Sequence, residues 1–245
     1  MKILIRKIHR WLGLLMALQI IAWMLSGFYF SLFPIQQIRG EHLTRPVAGL
    51  DATMLQQARF DASVSSELAE HLDGDYSMES LRLVSIHDRV AWRVSGDLDN
   101  RPFARLLDSA SGAVLPMLSA EEAVRTGRWW LHEAAGDVSV EWVEEAPANR
   151  DIRAGMLPAW KISVTEPEDL NLYLHPWTGE ILARRTARWR LFDFLWMLHI
   201  MDYDEREDFS HPLLQVAAFL GLVVALSGLV FWLLTTRLFR RRNPA

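Results

Sequence analysis

The side chains best suited to chemistry in this 245-residue chain are its histidines, eight in number. Two of them, His199 and His211, bracket LHIMDYDEREDFSHP (residues 198–212), where five acidic residues separate the rings. Neutral imidazole is a good ligand for haem iron, and two axial imidazoles make a low-spin centre suited to electron transfer. The same rings have a plainer use as half-buried polar caps where a helix meets a membrane interface. Both readings stand on the residues alone. Asp202, three positions after His199, is placed to accept that ring's second N–H. Arg184, Arg185, Arg188 and Arg190 lie just upstream, and their planar guanidinia suit haem propionates or an anionic ferric complex.

His9 stands apart, in a basic leader. A helix from His9 to Phe33 rises about 36 Å, so His9 cannot share an iron with His199 or His211. It either takes a second ligand from a symmetry mate or another subunit, or it is an ordinary snorkelling residue. His175 is expected in a surface turn. His42, His71, His87 and His132 show no H-x-H or H-E-x-x-H spacing and are assigned to no metal.

Much other chemistry is excluded. There is no cysteine, hence no disulfide, thiolate nucleophile or cysteine-ligated metal. Neither a glycine-rich phosphate loop nor a G-x-S-x-G elbow is present, and no dinucleotide fingerprint, so electrons would have to come from elsewhere. Any enzymatic activity would be that of an oxidoreductase. The pairs Glu144/Glu145, Asp204/Glu205 and Glu207/Asp208 fall in polar loops and are expected to stay solvated. A net charge of −4 without a basic-aromatic patch argues against nucleic acid as a partner.

The elements that must position these histidines begin with two apolar runs. After the leader 1–10 (Lys2, Arg6, Lys7, Arg10), residues 11–33 carry no charge and are long enough to cross a hydrocarbon core of roughly 30 Å. A second run, 212–236, precedes a tail, 237–245, with Arg237, Arg240, Arg241 and Arg242. Basic residues at both ends put the termini in the cytoplasm and the intervening chain outside, which in a bacterial inner membrane means periplasmic. Residues 187–202 are too short to span and form an interfacial amphipathic helix; an acidic loop, 203–211, then leads to Ser210 as N-cap of the second span.

The centre, 34–186, is read as α+β with an internal repeat. VAWRVSGDLDNRPFARLLDSASGAVL (residues 90–115) is similar to PAWKISVTEPEDLNLYLHPWTGEIL (residues 158–182), each alternating as strands do and closing on a turn, Ser111-Gly112 or Thr178-Gly179. A helical segment precedes each, at 65–72 and 120–131. Two spans flanking two duplicated helix-plus-hairpin units is the expected architecture.

These features together resemble the PepSY domain with its associated transmembrane helices. The residues carrying the resemblance are IHRWLGLL at the first span, LSG late in each span (residues 25–27 and 226–228), the D/H-x-x-[ST]-G-x-[VI]-L turns, and LWMLH before the second span. Larger members resemble inner-membrane ferric or ferrisiderophore reductases, in which helix histidines hold haem b. The resemblance therefore implies haem b on His199, His211 and His9, with Arg188 and Arg190 beside it, and electron transfer toward a periplasmic acceptor. Having only two spans, this chain departs from those members. Isolated PepSY domains imply instead a non-catalytic binding or regulatory module, or an accessory subunit of a membrane complex. Small residues at four-residue spacing (Gly13, Ala17; Ala217, Gly221, Ala225) let helices approach closely, either within one chain or in a homodimer or a complex with another membrane subunit. Gln19, alone among apolar neighbours, is expected to face a helix partner.

Overall fold

The architecture was obtained as a computed structural model that describes residues 2–236 apart from 48, 59–62, 87–88, 133–135 and 167. His87 and the arginine tail 237–245 thus lie outside the described residues. The chain is α+β and divides into two units, one formed by residues 1–35 with 190–245, the other by 36–189.

The first unit is helical. Helix α1 (Lys2–Leu32) contains 27 residues apolar enough to cross a membrane, Arg6–Leu32, and α7 (Pro212–Thr235) contributes 24. Proline at the first position of α7 costs no hydrogen bond, since that N–H would have no intrahelical partner. The two run antiparallel, joined by Met16, Ala217 and Val224 with Leu12, Ile20 and Leu220 around them. Outward-facing leucines such as Leu14, Leu15 and Leu18 are more than two-thirds exposed, an apolar shell that only lipid would solvate without penalty. The later part of α6 (Ala187–Ile200) packs Phe192 and Trp196 against Phe30 of α1, while Leu191 and Phe194 face outward. From Leu191 onward its apolar residues are not confined to one side.

The second unit begins with short helices α2 (Ile35–Ile38), α3 (Ala52–Gln57) and α4 (Ser63–His71). A three-stranded antiparallel sheet follows, β1 (Tyr76–Ile86), β2 (Arg89–Leu98) and β3 (Arg101–Asp108), in that order. Asp99 and Asn100 make the β2–β3 turn with both φ positive, the geometry whose twist matches a hairpin. Leu68 of α4 and Leu72, just past its end, bury against Val94, Phe103 and Leu107. Helix α5 (Ala120–Trp130) starts with a capping box, Ser119 and Glu122 each bonding the other's backbone N–H. It lies on a four-stranded antiparallel sheet, β4 (Val138–Val143), β5 (Ala159–Val164), β6 (Leu170–Leu174) and β7 (Ile181–Arg185). Ala123 and Trp130 bury against Ile162, Val164, Leu170, Leu172 and Leu174. The other face is covered by Ile152 and its loop, packed on Val143, Ala159 and Tyr173.

The order of helix then sheet therefore occurs twice. The sheets are unequal, because where β7 pairs with β6 the first sheet has only a single bridge, Leu107 to Val114. The turns correspond closely. Asp108 Oδ1 accepts the N–H groups of Ala110 and Ser111, and Gly112 follows at φ 77°. His175 Nδ1 accepts those of Trp177 and Thr178, and Gly179 follows at φ 68°. His175 is thus a half-buried turn organiser, its ring nitrogen doing what the Asp108 carboxylate does in the first sheet's turn.

Candidate functional site

The first unit brings each of two histidines onto a serine. The last carbonyls of a helix have no intrahelical donor, and α6 ends against a stripe of α1 that supplies them. Gln19 Nε2 donates to the Leu198 carbonyl at 3.0 Å, and Trp23 Nε1 to that of His199 at 2.7 Å. One turn further, Ser26, fully buried, meets His199 Nδ1 at 2.7 Å. Residues 19, 23, 26 and 30 share one face of a 3.6-residue helix, so all four reach α6 together. Gln19 faces a helix partner, as its isolation among apolar residues suggested.

The tautomer follows from proton counting. Ser26 has one hydroxyl proton, and its oxygen lies 2.7 Å from the carbonyl of Ala22 and 3.1 Å from that of Trp23, where only a proton makes the approach favourable. The hydroxyl therefore accepts from His199, whose Nδ1 carries the hydrogen and whose Nε2 carries the lone pair. The ring is held between apolar planes: Phe30 has its centroid 5.5 Å away, and Trp196 lies nearly parallel at 6.4 Å.

His9 repeats the arrangement at the other end of α1. Its Nδ1 lies 3.0 Å from both the Val224 carbonyl and Ser227 Oγ, and Ser227 itself donates to that carbonyl at 2.9 Å. His9 Nδ1 must then be the donor, which again leaves Nε2 as the lone pair. The ring lies on Gly228, where an added Cβ would stand 2.8 Å from Cε1. The serines of both LSG triplets thus bond a histidine from another helix. From His9 to Ser26 is 17 residues of α1, about 26 Å.

His211 is the N-cap residue of α7, a place the sequence assigned to Ser210. Its Nδ1 is buried and has no hydrogen-bond partner among the described residues. Asp208 Oδ1 accepts the N–H of Ser210, and the Ser210 carbonyl accepts Gln215 Nε2, so this serine has other partners. No hydrogen bond or ring contact joins His199 to His211, and among the described residues no three metal-competent side chains form a group.

Asp202 does not orient His199. Its Oδ1 accepts the N–H groups of Asp204 and Glu205, and its Oδ2 those of Glu207 and Asp208. These bonds, with that from Asp208 foremost, lower its pKa to about 2, so the loop closes around an anion. Asp202 is 4% exposed as a residue, whereas Asp204, Glu205, Glu207 and Asp208 remain in solvent. Met201, at φ 57°, turns the chain out of α6, and Arg206 pairs with Asp193 while its carbonyl accepts Trp196 Nε1. The acidic loop is thereby folded back onto the helix that carries His199.

The arginines are engaged by protein. In the second unit Arg184 donates to Thr44 Oγ1 at 2.7 Å, Arg185 to the Asp151 carbonyl while lying over Trp189, and Arg188 pairs with Glu168 at 3.3 Å. Arg190, in the first unit, also has a partner.

Sequence reasoning singled out the histidines but missed Trp23, Ser26 and Ser227 as their partners. The available signal was the 19–23–26–30 spacing and the recurrence of LSG. Comparison with known proteins finds no curated protein and no solved structure that matches the chain. The family model described as the PepSY-associated TM region matches residues 6–245, nearly the whole length. With two membrane-length helices around a sheet-rich centre, this chain is a membrane-associated member of the PepSY-associated transmembrane family.

Proposed function

We propose that the protein binds haem b and transfers electrons across or at the outer side of the bacterial inner membrane, toward a periplasmic acceptor such as a ferric or ferrisiderophore complex. In this reading both termini are cytoplasmic and the second unit is periplasmic. The observation that carries it is the paired tautomer: His199 and His9 each donate from Nδ1 to an oxygen and keep an Nε2 lone pair. Metal-ligating histidines have this form, because the second hydrogen bond fixes the ring and raises its basicity. What supports a haem is the donor set, with flat aromatic surfaces beside His199 at one end and a basic stretch around His9 at the other.

When bound, haem supplies one-electron chemistry. The chain's own residues orient and insulate. Ser26 and Ser227 hold the imidazoles, Phe30 and Trp196 exclude water from His199, and Asp202 keeps the loop closed over that end. His211, whose buried Nδ1 has no partner among the described residues, is the second donor near the loop end. A second copy of the chain supplies another His9, which makes a homodimer part of the proposal. Arg190, in the same unit as His199, is the candidate for the propionates.

The test is a reduced-minus-oxidised spectrum of protein purified in mild detergent after expression with haem supplied. A Soret and α-band that diminish in His199→Ala and His9→Ala are expected, and a smaller loss in His211→Ala. Absence of any band sinks the reading. The membrane-anchored binding module would then stand in its place.

A further inference from the structure

We propose that a cleft in the second unit binds a small monocarboxylate carried on an apolar or aromatic body. This site is independent of the histidines and of any haem. The cleft encloses about 360 Å³, within the range of small-molecule sites. Its floor is the apolar end of the first sheet, Ile86, Ala91 and Leu106, extended by Leu115. Its opposite wall is the start of α5 together with Trp177 from the His175 turn.

The walls are held apart by contacts that do not need a ligand. Arg93 Nε bonds the Glu180 carboxylate at 2.9 Å, and the Arg105 guanidinium lies 4.0 Å above the Trp177 ring. Both contacts tie the turn at 175–180 to the first sheet beside the cleft. The Trp177 indole is therefore a fixed apolar plane, on which a ring or alkyl body can lie.

Charge selects the ligand's other end. Arg89 and Arg125 both line the cleft, against one carboxylate, Glu122. Glu122 is committed to the capping box, where its Oε2 accepts the Ser119 N–H at 2.9 Å. Arg125 touches it only at 3.8 Å and is 70% exposed, and Arg89 has no hydrogen bond or ion pair among the described residues. Among the described residues that line the cleft, two cations therefore face one anion. Asp108, the other carboxylate near Arg89, lies outside the lining and is held in its own turn by Ala110 and Ser111, so an added carboxylate is favoured there. Guanidinium also matches a carboxylate as a planar, two-pronged donor. A cation would be repelled, and a neutral body would satisfy only the floor.

The probe is 4-phenylbutyrate, compared with 4-phenylbutan-1-ol, titrated calorimetrically into the full chain in nanodiscs, with empty nanodiscs subtracted. Saturable binding of the acid is expected, at least tenfold tighter than that of the alcohol. Arg89→Gln and Arg125→Gln, both at exposed positions, should each weaken the acid severalfold and leave the alcohol unchanged. Leu115→Trp, which fills the floor, should suppress both probes; a urea unfolding curve confirms that this variant is folded. No saturable binding of the acid, equal binding of acid and alcohol, or indifference to both arginine changes would overturn the proposal. None of these results bears on the haem spectrum, so the two proposals fail separately.

Discussion

Acid should loosen the second unit through a single ring, His175. Its Nδ1 accepts N–H groups from Trp177 at 3.3 Å and Thr178 at 3.2 Å, and a proton there would break both bonds. Burial, first of all, and then the charges of Arg105 and Arg93 lower its pKa from 6.5 to about 4. Above 6.5 the ring is neutral in folded and unfolded chains alike and contributes no pH dependence. As pH falls from 6.5 toward 4, the unfolded chain takes up a proton that the folded one refuses. Stability then declines by up to about 1.4 kcal/mol per pH unit, reaching a total loss on the order of 3 kcal/mol near pH 4. His175→Asn keeps an acceptor in the same place and cannot titrate. The assay is urea unfolding of the full chain in nanodiscs, read by proteolysis of the second unit at several pH values between 7.5 and 4. Carboxylates common to both proteins cancel in the difference. The variant should gain on the wild type steadily below pH 6.5, and parallel pH profiles for the two would refute the reasoning.

Three further outcomes follow from the helical unit. Ser26→Ala removes the acceptor for a half-buried imidazole N–H and should lower the stability of the first unit by about 1 kcal/mol in thermal unfolding, with Ser26→Thr recovering most of it. Gly228→Ala places a Cβ against the His9 ring, so it should destabilise the wild type yet be tolerated in a His9→Ala background, a coupling of more than about 0.5 kcal/mol in a double-mutant cycle. Asp202→Asn should speed amide exchange at 204, 205, 207 and 208. In the wild type, whose Asp202 pKa is lowered to about 2, that protection should persist as pH falls through the ordinary carboxylate range and fade only near 2.

The parts legible in the sequence were those governed by local rules. Membrane-length apolar runs, alternating strands, and glycine after a turn each leave a short-range mark, and α1, α7, β2, β5 and the Gly112 and Gly179 turns stand where those marks are. Asp108 and His175 were matched by alignment alone, and only the structure reveals the shared acceptor role. The partners of the histidines left no such mark. Ser26 reads as one more small residue in a span, and its bond to His199 reaches across 173 positions. Asp202 looked like a helper for the nearby ring because it is three residues away. The backbone N–H groups of its own loop are closer and more numerous, and they take all of its oxygens.

The serine–histidine bonds have a bearing on biogenesis. Helix α1 is made first, carrying His9 and Ser26, but their partners lie 218 and 173 residues downstream. The nascent anchor would wait in the bilayer with two polar groups unmatched, through the whole synthesis of the central unit. Only when the closing hairpin arrives could it settle, fastened at either extremity to consecutive portions of the same late segment. Truncation before α7 should therefore yield an anchor that still inserts but is exposed to membrane quality-control proteolysis.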